Sequence, residues 1–532
     1  MATEVGEAAA TRNSATEEIK PYKLHVSSKY LDLTKQKLEI TRLPHEGSEP
    51  KSEDWWEPKS QIEPLIDFWL EQYSWRAQED LLNAELPQFR TSFTIASLKA
   101  PVRIHFIHIR SPHSSAIPLL LIPPFPFSNL AFGHLVKPFT DPEDVTNNQP
   151  FHLVIPSLPG VGFSDALPNN TPVISSSAEI LDSLMKRLSY PYYLVTNASS
   201  GAASPAEIDY KLANYLSTQY PDSCLGTHFI SPPLAQPKLK DAPVEWAKWS
   251  IAKFLKAPVL GYSREDLSAL KRSGYVGDSR KTKTPARVGL NQYELREPNT
   301  LAYALCDSPT GLLVFVLKSL RLLGAQRDFT PTEMIDFTQL AWLPGLEAAM
   351  RFWAYCVCHP EKVPKKATSP KPKVALTVFL GEEPDTSHDV EKGAPKVDEG
   401  SNSYSCPSWA NTRYNVVHTQ RVSGNPGFIP WDRPEIIATG VRKLAASVLR
   451  TDQRLRPSPE PAVVPLEQVV VEPTAAEKPS SSAPAEPSPA LPEAAARRQP
   501  RRALSDETAV ASDENMIGTP VSPTQAAFTP VH

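Results

Sequence analysis

Residues 151–164 read FHLVIPSLPGVGFS, a short continuous apolar run followed by a turn that contains two glycines. Similar runs lie on either side of it, IPLLLI at 117–122 and YYLVT at 192–196, and a helical pattern covers 176–188. Short apolar strands that alternate with helices are typical of a sheet buried on both faces. The sequence therefore predicts an α/β protein with a doubly wound, mostly parallel sheet.

The same patterning extends outward from this centre. On the N-terminal side, alternation at 22–26 predicts a strand, 30–41 a helix, Pro64 the start of another helix, and 104–109 a strand. On the C-terminal side, strands are predicted at 374–380 and 414–418, and the helical stretch between the sheet strands is typical of an inserted lid. NASSG at 197–201 is predicted to form a tight turn that opens a helix. The predicted organisation is a disordered tail (1–19), an N-terminal meander domain (20–112), a first core part (113–230), a lid (231–372), a second core part (373–452) and a second disordered tail (453–532).

The composition of the chain argues against several classes of function. The formal net charge is −4, without the concentrated basic excess of a nucleic-acid-binding protein. Five cysteines without ligand spacing predict reduced core thiols and no metal site. Residues 1–20 lack the apolar stretch of a signal peptide, and 117–127 are too short and proline-rich to span a bilayer. We therefore expect a cytoplasmic protein without a transmembrane segment.

The C-terminal 80 residues are rich in Pro, Ala, Ser and Glu, and Phe528 is their one aromatic residue. Such a composition buries too little apolar surface to offset chain entropy. Paired arginines at 497–498 and 501–502 precede Ser505, and Thr519, Ser522 and Thr529 each precede a proline. A kinase or a protein partner could recognise these positions. The alternative is a solvated tail with chance matches.

Several collinear motifs between Pro21 and Arg450 resemble the microsomal epoxide hydrolase family in its soluble form. They are DWW at 54–56, YSWR at 73–76, PQF at 87–89, PSLPGVGFS at 156–164, YPDSCLG at 220–226, CDSP at 306–309 and RYNVVH at 413–418. The resemblance implies an α/β-hydrolase fold with an N-terminal meander domain and a helical lid. It also implies a two-step reaction. An aspartate attacks the epoxide while two lid tyrosines donate protons, and a histidine oriented by an acid then activates water.

The residues that would carry this reaction are replaced. Ser199 stands at the position of the aspartate nucleophile, and serine attack on an epoxide would leave an ether that water does not hydrolyse. Gly427 stands at the position of the histidine base. Glu382 is a remnant at the position of the orienting acid, although a surface carboxylate is the simpler interpretation. His418 belongs to a strand and is interpreted as structural.

The pocket is altered as well. The two lid tyrosine positions match Leu290 and Trp353, while Tyr293 and Tyr355 are spaced to point elsewhere. The loop that would stabilise an oxyanion reads PPFP, in which the backbone N–H of Phe125 survives beside that of Ser200.

Three functions remain open at this point. The sequence favours a non-catalytic homologue, without a cofactor, that binds a small apolar ligand in the cleft between core and lid, or a protein partner. The alternatives are a serine esterase-like hydrolase using Ser199, and an epoxide hydrolase with relocated residues. An esterase would need a base within hydrogen-bonding distance of Ser199, and the sequence reveals none.

Overall fold

The computed structural model describes residues 18–45, 59–95, 100–201, 204–273, 298–362, 370–381 and 404–456. Most of both predicted tails therefore lies outside the described residues. The folded chain extends past the predicted boundary at 452, since Gln453–Leu455 form a 3-10 turn in which Leu455 is buried.

A nine-stranded sheet organises the fold. Its order is β1-β2-β3-β5-β4-β6-β7-β8-β9; the first three strands and their junction with β5 are antiparallel, and all later pairs are parallel. The strands are β1 Lys20–Pro21, β2 Gln88–Phe93, β3 Val102–Ile109, β4 Ile117–Ile122, β5 Phe151–Pro156, β6 Tyr193–Asn197, β7 Cys224–Ile230, β8 Lys373–Phe379 and β9 Asn415–Val422. This mixed, doubly wound sheet confirms the predicted fold class.

Helices follow or precede the strands. They are α1 Ser28–Glu39, α2 Lys59–Glu71, α3 Trp75–Glu85, α4 Val136–Thr140, α5 Val173–Arg187, α6 Ile208–Gln219, α7 Pro243–Leu255, α8 Arg264–Arg272, α9 Pro298–Asp307, α10 Pro309–Leu322, α11 Pro331–Trp342, α12 Glu347–Cys358, α13 Ile429–Asp432 and α14 Pro434–Thr451. Every residue of β6 and β7 is buried, because both faces of the central sheet are covered. Helices α7 to α12 all fall between β7 and β8, where the lid was predicted.

The predicted strand at 22–26 is wrong. Only Lys20 and Pro21 pair with β2 as a strand, and the backbone N–H of Tyr22 adds one last bond to the carbonyl of Gln88 (2.8 Å). From Leu24 onward the backbone is bonded to side chains of α3. The backbone N–H of Leu24 donates to Asn83 Oδ1 (2.8 Å), and that of Val26 donates to Glu79 Oε2 (2.7 Å). Leu24 and Val26 still alternate inward, so the burial pattern of a strand occurs without a partner strand.

Two smaller predictions also need correction. Pro64 lies inside α2, which begins at Lys59. All five cysteines are free, but Cys306 and Cys358 are exposed and are not core thiols.

Within the described part of the chain, no single helix is long and apolar enough to cross a membrane. Helices α9 and α10 reach the required length only together, and they are bent by 117° at their junction.

Candidate active site

Ser199 lies just beyond the carboxyl end of β6, as predicted, but the turn around it differs from the prediction. The expected tight turn into a helix is wrong: α6 begins only at Ile208, after a 3-10 turn at Pro205–Glu207. Ser204 precedes a proline, and helical backbone angles are disfavoured at a residue before proline. Left-handed φ angles occur at Ala206 (49°) and Glu207 (59°) and not at Ser199. The strained nucleophile position of a hydrolase elbow is therefore not formed at this serine.

The side chain of Asn197 holds the loop after β6. Its Nδ2 donates to the backbone carbonyl of Ser199, and its Oδ1 accepts from the N–H of Ile230 on β7 (3.2 Å). The N–H of Ala198 donates to the carbonyl of Ile122 at the end of β4 (3.0 Å). These bonds fix the serine over the carboxyl ends of three parallel strands, where ligand sites of open α/β sheets lie.

A buried carboxyl group, Asp209, faces Ser199. It sits in the first turn of α6 and is 0% exposed. The hydroxyl of Ser199 donates to Asp209 Oδ2, and the backbone N–H of Phe125 donates to Asp209 Oδ1 (3.2 Å). The N–H predicted to remain available for an oxyanion is thus already bonded to a carboxylate of the chain itself.

Burial controls the charge of this carboxyl. Loss of hydration raises the pKa of Asp209 to about 7, although hydrogen bonds from Ser199, the Phe125 N–H and Ser204 favour its ionised form. At neutral pH the group is therefore divided between its acid and its anion. An ionised Asp209 could accept the hydroxyl proton of Ser199, which is the role the sequence could not fill.

Asp209 was missed by the sequence analysis, although a signal was present. It interrupts the apolar positions of α6, Ile208, Leu212, Ala213 and Leu216, which are all buried. An acid on the buried face of a helix needs a partner. The partner lies ten residues upstream in the chain, and no spacing rule connects the two.

The predicted pocket residues Phe125 and Trp353 lie together. Their rings are in edge contact, with centroids 6.4 Å apart, and Phe352 packs on Phe125 at 5.7 Å. Trp353 is fully buried, and its indole N–H has no hydrogen-bond partner among the described residues. Ser200 is also buried, at 5% exposure. The ring of Tyr355 packs instead beside that of His359, at 4.9 Å.

Gly427 occupies a position that disfavours the family's histidine. Its φ is +68°, and a Cβ there would lie 2.8 Å from Asp432 Oδ2. That carboxylate accepts from the backbone N–H groups of Phe428 (2.7 Å) and Gln326 (3.1 Å). It therefore ties the segment to the loop that follows α10, and the adjacent Phe428 ring packs against Phe127.

The histidines near the sheet have other partners. His228 on β7 lies between the hydroxyls of Thr196 (3.0 Å) and Thr377 (2.9 Å), and burial lowers its pKa to about 3. His418 lies on β9 opposite Ala375. In the part of the chain that the structure describes, no imidazole is hydrogen-bonded to Ser199. Glu382, Leu290 and Tyr293 fall outside the described residues, so their predicted roles stay predictions.

The sheet order, the serine after β6 and the helices inserted between β7 and β8 define a protein of the α/β-hydrolase class. The family model described as "Epoxide hydrolase N terminus" matches residues 19–132. A "Putative epoxide hydrolase" of Stigmatella aurantiaca is 27% identical over 340 residues, covering 62% of this chain and 68% of that protein. "Juvenile hormone epoxide hydrolase 2" of Ctenocephalides felis is 25% identical over 357 residues, covering 63% and 69%.

Solved structures agree on the fold. Juvenile hormone epoxide hydrolase from the silkworm Bombyx mori superposes with a TM-score of 0.60 and 21% identity, covering 82% of this chain and 95% of that one. Epoxide hydrolase from Aspergillus niger gives 0.55 and 20%, covering 81% and 97%. The chain is therefore epoxide hydrolase-like and has the α/β-hydrolase fold.

Proposed function

We propose that this chain is a non-catalytic epoxide hydrolase homologue that keeps the fold and acts by binding a ligand or a protein partner. One observation carries the proposal: Asp209 Oδ1 accepts the Phe125 N–H (3.2 Å). In the family that this chain resembles, this N–H belongs to the loop that would meet developing negative charge. A carboxylate already bonded there competes with any oxyanion for the donor and repels it.

The chemistry of Ser199 supports the same proposal. Its hydroxyl is 4% exposed and donates to Asp209. Attack by this oxygen on an epoxide carbon would form a C–O ether bond in place of an ester. The second step of the family's reaction hydrolyses an ester, so one turnover would leave the enzyme alkylated.

The ligand would be small and apolar. The buried rings of Phe125, Phe352 and Trp353 pack together near the Asp209–Ser199 pair, and the indole N–H of Trp353 has no hydrogen-bond partner among the described residues. A ligand with an apolar body and one hydrogen-bond acceptor fits this combination. Such ligands should raise the Tm of the protein saturably, and less so in the Trp353→Phe variant, which keeps an aromatic ring but lacks the donor.

The activity test uses purified full-length protein with styrene oxide-type epoxides. We expect diol formation no faster than in buffer. Turnover by the wild type that survives Ser199→Ala would overturn the proposal by placing the reaction elsewhere in the chain. A single stoichiometric alkylation of Ser199, seen by mass spectrometry without diol, agrees with it.

A serine hydrolase with Asp209 as general base is the second candidate. The observation that favours it is the hydrogen bond from Ser199 to a carboxyl whose pKa is about 7, close to the value that suits a base at neutral pH. Nitrophenyl ester hydrolysis lost in both Ser199→Ala and Asp209→Asn would establish it. Retention of the wild-type background rate in both variants would exclude it.

A further inference from the structure

Helix α7 presents two different faces. Trp249 and Ala252 are buried, and the Trp249 ring packs against Tyr262 (centroids 5.4 Å apart) and Trp409 (5.5 Å). These contacts hold the helix against the fold through a single side. A surface helix anchored in this way normally carries polar residues on its opposite side.

The opposite side of α7 is apolar and exposed. Val244 is 64% exposed, Ile251 46%, Phe254 85% and Leu255 55%. Positions 244, 251 and 255 are separated by seven and four residues, so they fall on one stripe of the helix, and Phe254 borders it. Scattered exposed apolar residues need no explanation, but several large ones grouped on one side of a helix indicate an interaction surface.

The loops at both ends of α7 continue this surface. Leu239 precedes the helix and is 57% exposed, and Leu260 follows it and is 50% exposed. Lysines outnumber acids along this segment; Lys248 forms an ion pair with Glu245 (2.8 Å), and Lys253 Nζ lies 5.9 Å from the centroid of the Trp249 ring. Between residues 236 and 262 the chain carries Lys238, Lys240, Lys248, Lys253 and Lys256 against Asp241 and Glu245, a net charge of +3 (5 − 2) in a protein whose net charge is −4.

A basic helix with an exposed apolar stripe is typical of a helix that lies in a membrane interface. Lysine stems add apolar contact while their ammonium groups reach acidic headgroups. The positive charge sits on an otherwise acidic chain, which argues for a negatively charged surface as the partner. We propose that α7 and its flanking loops, residues 238–260, dock this protein peripherally onto a bilayer that contains acidic lipids. The proposal is independent of whether the protein is catalytic.

Vesicle co-sedimentation of the full-length protein tests the proposal. We expect binding to vesicles of phosphatidylcholine with about 30 mol % phosphatidylserine, and binding weaker by about tenfold or more to phosphatidylcholine alone. Phe254→Asp should lower binding to the acidic vesicles by about tenfold, because it replaces the most exposed apolar residue of α7, at the border of the stripe, with a charge. Ile40→Asp, a change at a similarly exposed residue (80%) that caps the C-terminal end of α1, is the matched control and should bind like the wild type.

The lysines are tested separately. The pair Lys253→Glu and Lys256→Glu should remove the preference for acidic vesicles, and raised salt should weaken wild-type binding. Absence of wild-type binding to acidic vesicles, or equal binding by Phe254→Asp, overturns the proposal. A wild-type dimer that Phe254→Asp converts to monomer in analytical ultracentrifugation, without vesicle binding, would instead assign the stripe to a second copy of the chain.

Discussion

Replacing Asp209 by asparagine should stabilise the protein, and increasingly so as the pH rises. Burial raises the pKa of Asp209 from an ordinary 3.8 to about 7. The folded state therefore binds a proton between these pH values that the unfolded state has lost, and stability falls as the pH rises through this window. At about 1.4 kcal/mol per pKa unit, ionisation of Asp209 costs about 4 kcal/mol above pH 7.

Asparagine removes this cost and keeps the geometry. Its amide oxygen can accept from the Phe125 N–H as Asp209 Oδ1 does, and its amide nitrogen can donate to Ser199. For a folded region of roughly 400 residues, 4 kcal/mol corresponds to an increase in Tm of about 5 °C at pH 8. Below pH 4 the ionisation cost is absent in the wild type, so this advantage of the variant should vanish.

Calorimetric scans of wild type and Asp209→Asn at pH 5, 6, 7 and 8 make the measurement. The control is Asp165→Asn. Asp165 forms ion pairs with Arg103 (2.8 Å) and Arg90 (2.9 Å). Burial raises the pKa of Asp165, but these partners outweigh burial and lower the pKa below its ordinary value. That variant should be less stable than wild type, mainly above pH 4. A Tm difference for Asp209→Asn that is constant from pH 5 to 8, or negative at pH 8, would refute the assignment of a penalised buried carboxyl.

Three further substitutions have defined outcomes. Gly440→Ala should lower the free energy of unfolding, measured by urea titration, by about 1–3 kcal/mol, because the added Cβ would lie 2.1 Å from His228 Nε2. Helix propensity alone predicts a gain in stability, and observing such a gain would contradict this expectation. Asp266→Asn should lower the free energy of unfolding by about 3 kcal/mol in the same titration, because the buried carboxylate of Asp266 accepts two hydrogen bonds of 2.8 Å from Arg421. An unchanged midpoint would show that the pair is dispensable for stability. Gly427→His should lower the free energy of unfolding by about 1–3 kcal/mol, because the backbone φ at this position is +68°, which strains a residue with a side chain. The variant should yield no diol from epoxides. Diol formation would show that a histidine at position 427 can still act as the base.

The sequence predicted the centre of the fold well. The apolar runs at 117–122 and 151–156 coincide with β4 and β5, because a strand buried on both faces must be apolar along its whole length. It failed at 22–26, where Leu24 and Val26 alternate inward but their backbone N–H groups are bonded to side chains of α3. The periodicity of apolar residues indicates which side chains face inward. It does not indicate which groups form hydrogen bonds with the backbone.

The candidate site was predictable only in part. The sequence placed Ser199, Gly427, Phe125 and Trp353 at family positions, and the structure brings Ser199 to Phe125 through Asp209. Asp209 itself could not be found by comparing the family's motifs, because it fills a role that those motifs do not contain. Its contact with the PPFP loop joins residues 84 positions apart in the chain.

The replacements at the site depend on one another. An aspartate placed at position 199 would meet the carboxyl of Asp209, and two carboxyls in one buried site cannot both ionise, so one of the two would stay protonated. Removing Asp209 as well would free the Phe125 N–H but would leave position 427, where the Asp432 carboxylate takes the space a side chain needs. Asp209 and Asp432 therefore each hold one loop of the candidate site through bonds to backbone N–H groups, and a change at position 199 or 427 has to accommodate these carboxyl groups.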